Sequence, residues 1–226
     1  MRPYTIINAA MSADGKLSTK ERRQVRISGA EDFARVDRMR ADCDAILVGI
    51  GTVHADDPSL TVKSPTLREM RIAHGKQTNP IRIVLDSNAK TPITADILNK
   101  GEGYRIIAVS EEADQERVRE LSRYADIITC GRDRVDLHCL LQELKKRGIE
   151  SLMVEGGGTV IWSFISAGLF DELHVYLGAL IIGGMAAPTL TDGEGFTEES
   201  HFPRLILSDM KRLDDGLLIQ WKKKHA

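Results

Sequence analysis

Cysteine is scarce in this chain of 226 residues. Its three thiols, Cys43, Cys130 and Cys139, form no C-x-x-C pair and have no histidine at metal-ligand spacing. That excludes a structural zinc module, so no metal is expected, and it points to a reducing, cytoplasmic setting. An excess of one charge is missing too, with 31 Lys and Arg against 33 Asp and Glu. No broad basic face is available for nucleic acid or an anionic membrane, and any anionic ligand must be met locally. Long apolar runs are absent. The longest, "LGALIIGGMAAP", falls short of the roughly 20 residues a membrane span needs. The N-terminal "YTIINAAM" runs too soon into Asp14 and Lys16 to serve as a signal peptide.

Familiar catalytic signatures are missing as well. The six histidines make no H-x-E, H-E-x-x-H or triad-like set, and His54 reads as a surface histidine. The zinc-deaminase pattern of H-x-E with P-C-x-x-C does not occur. No G-x-x-x-x-G-K-[ST] is present, and Ile161 breaks the G-x-G-x-x-G spacing that Gly156 and Gly158 begin. A P-loop ATPase or a kinase is therefore excluded.

What is present is a recurrence of short β-branched runs with helical patterns between them: "YTIINAA", "AILVG", "IRIVLD", "YRIIAVS", "DIITC", "SLMV" and "LHVYLGALI". Runs that are apolar on both faces predict strands of a mostly parallel sheet covered by helices, hence the α/β class. Ser28 and Glu31 form a capping-box pattern that opens a helix to about Arg40. Ser110 caps an acidic helix reaching Tyr124, and Gly148 and Gly168 stand where left-handed caps end helices. "RLILSDMKRL", "DDG" and "LLIQWKK" predict a C-terminal antiparallel hairpin. The polar stretch 64–80, with a proline near each end, reads as a loop excursion. Trp162 and Phe164 read as core. The whole of 1–226 is expected to be one domain.

Ligands of open α/β sheets collect where strands end at their carboxyl side, so four such ends draw attention. After "AILV", "GIGTVHADDPSLTVK" offers a glycine turn, the Thr52 hydroxyl and the acidic corner Asp56-Asp57-Pro58. After the first strand, Asp14-Gly15-Lys16 is a turn whose lysine can neutralise phosphate, although a solvated lysine has the same sequence. "LDSNAKTP" places Asp86, Ser87 and Asn88, all common turn formers, where a nucleotide ribose or phosphate could sit. The fourth end, "SLMVEGGGTVIW", puts Glu155 before Gly156, Gly157 and Gly158. Three glycines are costly to order. Their bare backbone lets amides approach a phosphate at a helix start, while the Glu155 carboxylate can accept two hydrogen bonds from an amino-heterocycle.

In this order, "MSADGKL", "RISGAEDFARVDRMRA", "ILVGIGTVHADDPSLTV", "IRIVLDS", "VEGGGT" and "GLFDELHVYLGALIIGG" resemble the riboflavin-pathway reductases, most closely their stand-alone archaeal branch. The resemblance spans nearly the whole chain and implies a dihydrofolate reductase-like three-layer fold, a homodimer, and NADPH or in some members NADH as cofactor. It implies cofactor contacts at Ala10, Thr52, Asp56, Ser87, Gly131, Gly156, Gly157, Gly158 and Thr159. It places Lys16, Arg40, Asp57, Leu60, Lys63 and Glu155 on the substrate side, with Arg40 and Lys63 on a 5′-phosphate, Glu155 on the pyrimidine's amino edge, and Lys16 and Asp57 handling the proton. Arg26 departs from the aromatic residue that bifunctional relatives carry near the cofactor. The missing deaminase motif implies a ribosylamino diaminopyrimidinone as substrate. The deaminated uracil compound, a pterin or dihydrofolate substrate, and a nucleotide sensor without turnover are the rival expectations.

Overall fold

The structure, a computed structural model, describes residues 1–23 and 25–224. In chain order it begins with β1 (Tyr4–Ser12), α1 (Ala30–Asp42), β2 (Ala45–Gly49), α2 (Ile50–Asp56), α3 (Pro65–Ala73), β3 (Ile81–Leu85), α4 (Asp96–Asn99) and β4 (Arg105–Val109). It continues with α5 (Gln115–Leu121), β5 (Asp126–Thr129), α6 (Leu137–Lys146), β6 (Ser151–Val154), α7 (Gly158–Ser166), β7 (Glu172–Gly178), β8 (Leu205–Leu213) and β9 (Gly216–Lys223). The elements pack into two compact units, residues 1–4 with 36–153 and residues 5–35 with 154–226.

In the first unit β5, β4, β3, β2 and β6 lie side by side in that order, and the pairs from β2 to β5 are parallel. Every residue of β2 is buried, as expected for a strand covered on both faces. Ile46, Val48, Val84, Ile107 and Val109 form one core with Val53 of α2 and Leu121 of α5, each such side chain contributing roughly 1.5–3 kcal/mol of burial. In the second unit β1 pairs in parallel with β7, then β7 with β9 and β9 with β8 run antiparallel. The α/β class, the mostly parallel sheet and the C-terminal hairpin are as the apolar runs predict.

Four local expectations are corrected. The start of α1 is not closed by a Ser28–Glu31 box: the Asp214 carboxylate, from the β8–β9 turn, accepts the N–H groups of Glu31 and Asp32 at 3.1 and 3.0 Å. Gly29 makes room for it, since a Cβ there would lie 2.4 Å from Asp214 Cγ. Asp114, not Ser110, caps α5, with its carboxylate accepting from Glu116 and Arg117; the Ser110 hydroxyl donates instead to the Ser87 carbonyl at 2.7 Å. The stretch 64–80 contains α3, because Ser64 caps it, Pro65 is pre-set for a first helical turn, and Leu67 and Arg71 bury one face. Trp162 is only half-buried, lying 4.8 Å from the Phe196 ring, whereas Phe164 is fully buried.

Gly148 and Gly168 adopt left-handed φ values of 79° and 66° and end α6 and α7 as expected. Leu169 N–H reaches back to the Phe164 carbonyl, closing the last turn of α7. Cys130 and Cys139 are joined as a disulfide with Cα atoms 5.8 Å apart, the start of α6 folding back on the end of β5. Replacing Asp214 with Ala should lower stability by about 1 kcal/mol through loss of the α1 cap; urea unfolding with an unchanged midpoint would rule the cap out as a contributor.

Candidate active site

Strand register sets one edge of the first unit. Gly49 stands beside Leu85, Leu85 beside Ala108, and Val109 beside Thr129, so the carboxyl ends of β2 to β5 are level. Thr52 and Asp56 follow β2 one turn apart on α2, which gives them one helix face. The expected glycine turn is therefore a helix start, with Gly49 as its cap. Burial raises the Asp56 carboxyl above its usual pKa, although the residue stays largely open to solvent and water screens the effect.

Beyond α2 the backbone is strained. Asp57 and Leu60 take left-handed φ values of 41° and 50°, a conformation worth roughly 1–3 kcal/mol of strain for a residue with a Cβ. Asp57 caps α2 in this state, and its Oδ1 accepts the N–H of Asp96, the first residue of α4, at 2.7 Å. Leu60 is buried, which leaves its backbone as the part able to meet a ligand. The chain then puts Ser59, Thr61 and Lys63 at alternating positions, and the Lys63 ammonium donates to both hydroxyls at 2.9 and 2.8 Å. Burial lowers the Lys63 pKa first, and the Arg40 charge, from the last turn of α1, lowers it further. Two cations set near one another attract an anion.

At the end of β3 the buried Asp86 carboxylate accepts the N–H and hydroxyl of Thr91, both at 2.7 Å, and folds the turn that carries Ser87. Ser87 Oγ accepts the Val135 N–H at 3.0 Å, and its carbonyl accepts from Ser110. Gly131 has φ 79°, and a Cβ there would lie 2.2 Å from the Arg134 carbonyl. Its own turn demands glycine.

In the second unit Ala10 lies on β1 opposite Tyr176. Lys16 closes the turn after β1: its N–H reaches Ser12 Oγ at 2.9 Å, it bridges to Thr189, and its ammonium is 3.4 Å from the Ala187 carbonyl. Asp14 anchors this turn by accepting from Ser12 Oγ and from the N–H groups of Ile182 and Gly183. Those bonds, the Ser12 hydroxyl foremost, hold its pKa at about 2. A depressed carboxylate contributes above its unfolded pKa and loses its hold as pH falls toward 2.

Glu155 is half-buried directly after β6. Gly157 precedes α7 with no side chain capping the helix, and Thr159 is exposed in its first turn. Two of the three glycines have reasons inside the protein. A Cβ on Gly158 would stand 2.5 Å from the Thr189 carbonyl and 2.8 Å from the Asp192 carboxylate, and one on Gly156 would meet Val160 at 2.6 Å. Asp192 holds that neighbouring turn, accepting from the Thr189 N–H and hydroxyl at 3.0 and 2.7 Å.

Of the expected site residues, Thr52, Asp56, Asp57, Leu60, Lys63, Arg40, Ser87 and Gly131 belong to the first unit, and Ala10, Lys16, Glu155 and residues 156–159 to the second. Sequence reasoning passed over Ser59 and Thr61, although their alternation with Lys63 in "SLTVK" was a usable signal. It also passed over Asp192, whose role depends on a contact with distant Gly158.

A family model described as the RibD C-terminal domain matches residues 3–219. The chain belongs to the RibD C-terminal domain family. The protein named 2,5-diamino-6-ribosylamino-4(3H)-pyrimidinone 5′-phosphate reductase from Archaeoglobus fulgidus is 48% identical over 97% of this chain and 97% of its own. A solved RibD from Acinetobacter baumannii matches with TM-score 0.80 at 26% identity, covering 99% of this chain, which spans 59% of that longer one. Dihydrofolate reductase from Enterococcus faecalis, solved with NADP(H), matches with TM-score 0.53 at 11% identity and 98% coverage of this chain and 97% of its own. The RibD-type fold here is thus dihydrofolate reductase-like.

Proposed function

We propose that the chain is an NADPH-dependent reductase that converts the ribosylamino group of 2,5-diamino-6-(ribosylamino)-4(3H)-pyrimidinone 5′-phosphate to ribitylamino, a step of riboflavin biosynthesis. The observation that carries this reading is the Arg40–Lys63 pair: two cations, one of them steadied by Ser59 and Thr61, suit a sugar phosphate. Glu155 accepts hydrogen bonds from the pyrimidine's amino edge. The family model runs through residues 3–219, which supports a single reductase domain.

Residues of each unit suit a dinucleotide. A helix leaves its first amides without an intrahelical acceptor, and α7 has no side-chain cap to take them, so its start can meet a phosphate. The exposed Thr159 hydroxyl adds a donor there, and the Ser87 hydroxyl, which accepts from Val135, can still donate. When bound, the nicotinamide supplies the hydride. Arg40 and Lys63 hold the phosphate end and thereby orient the sugar. Lys16 and Asp57 handle the proton at the sugar, Asp57 with the oxygen that Asp96 does not engage. Following NADPH and NADH oxidation with the diamino and the deaminated substrates side by side tests the reading. Turnover of the deaminated compound alone, or none with either, would overturn it.

The partner we assign is a second copy of the chain. Strand β8 ends the strand order and is exposed along nearly its whole length, with Ile206, Leu207 and Met210 all more than half exposed. An open apolar edge of that kind is ordinarily covered. Met210→Lys should weaken self-association at least about tenfold. Light scattering that shows a monomer for the unaltered chain at micromolar concentration would exclude the dimer.

A further inference from the structure

Asp37 stands one turn before Arg40 in α1 and is buried. Its Oδ1 accepts the Lys63 N–H at 2.7 Å, and its Oδ2 accepts the Ser64 N–H at 2.8 Å. The carboxylate is thus bound to two consecutive amides of the segment that carries Lys63. Ser64 is in turn the cap of α3, so the bond also anchors that helix start. One helix therefore bears Arg40 directly and sets the backbone of Lys63 through Asp37.

This arrangement opposes a repulsion. Arg40 and Lys63 are like charges, and the Arg40 charge disfavours the protonated Lys63. Lys63 is exposed and has a flexible four-carbon stem, so many positions are open to its ammonium, at an entropic cost to holding any one of them. Two restraints narrow them. Asp37 fixes where the Lys63 stem begins, and Ser59 with Thr61 fix where its ammonium ends. The Asp37 charge also attracts Lys63, offsetting part of the Arg40 effect.

We propose that Asp37 is a positioning residue of the phosphate grip: by holding the Lys63–Ser64 amides against α1, it keeps the Lys63 ammonium at the spacing from Arg40 that lets both share one phosphate. The inference rests on the reading that Arg40 and Lys63 bind the substrate phosphate. It assigns Asp37 no contact with substrate. The effect should appear in substrate and phosphate affinity, not in the chemical step.

The test is steady-state kinetics on the full chain with Asp37→Asn, Asp37→Glu, Lys63→Ala and the double variant Asp37→Asn/Lys63→Ala, together with inorganic phosphate as a competitive inhibitor. Asp37→Asn keeps the size but loses one acceptor, so KM for the pyrimidine and Ki for phosphate should each rise about 3- to 10-fold. The kcat should stay within about twofold, and KM for NADPH should not move. Asp37→Glu keeps the charge but lengthens the arm, and should show the same pattern. In the Lys63→Ala background Asp37→Asn should add nothing to the phosphate Ki, because its effect runs through Lys63. If Lys63→Ala weakens phosphate while both Asp37 variants match the unaltered chain, the inference fails and the phosphate reading stands. If neither Lys63→Ala nor Arg40→Ala changes KM or Ki, the reading fails and the inference with it. Asp37 variants that lose kcat and thermal midpoint together with KM unchanged, or that do not fold, would show a purely structural residue and overturn the proposal.

Discussion

Arg40→Ala combined with Lys63→Ala is expected to reduce kcat/KM for the phosphorylated pyrimidine at least about a hundredfold. Each charge-assisted phosphate bond is worth roughly 1.5–3 kcal/mol, and the two serve one ligand, so their losses need not add in full. Each single variant should fall by about one to two decades. The loss should sit mainly in KM, and a dephosphorylated substrate should show little difference between the unaltered and doubly altered enzymes. Far-UV circular dichroism establishes that the variants are folded. An unchanged kcat/KM in the double variant would remove the anion site from the proposed mechanism.

Gly158→Ala should have the second large effect, and it separates two reasons for a glycine. The added Cβ would press against the Thr189 carbonyl at 2.5 Å, a backbone atom that cannot rotate away, and against Asp192. A stability loss of about 1–3 kcal/mol without any ligand is expected, the range typical of forced overpacking. NADPH affinity should fall as well, since the turn that must shift adjoins the start of α7. Denaturant unfolding with and without NADPH reads both. Full stability without ligand, with only cofactor binding impaired, would mean that the dinucleotide and not the Thr189–Asp192 turn demands glycine here.

Local patterns carried most of the fold. Fully apolar runs such as "AILVG" and "IRIVL" identify strands because side chains on both faces must be buried. Gly148 and Gly168 mark helix ends because a left-handed residue without Cβ closes the last turn. The caps show where this stops. Ser28 and Ser110 have capping chemistry, but Asp214 is 183 residues from Glu31 in the chain and still takes its amide. A hydrogen bond depends on distance in space, and sequence separation does not report it.

The candidate site divides in the same way. Residue types at strand ends drew attention to the Asp56–Asp57 corner, Lys16, Ser87 and the Glu155–Thr159 turn, and the family resemblance is what assigned them to ligands. Tertiary structure decided what each is bound to: Asp57 to Asp96, Ser87 to Val135, Gly158 to the Thr189 turn and Lys63 to Asp37. Periodicity is a property of neighbours along the chain and is written into the sequence. Partnership arises only when folding brings remote atoms within hydrogen-bond reach, so the sequence named the chemistry while the packing chose its geometry.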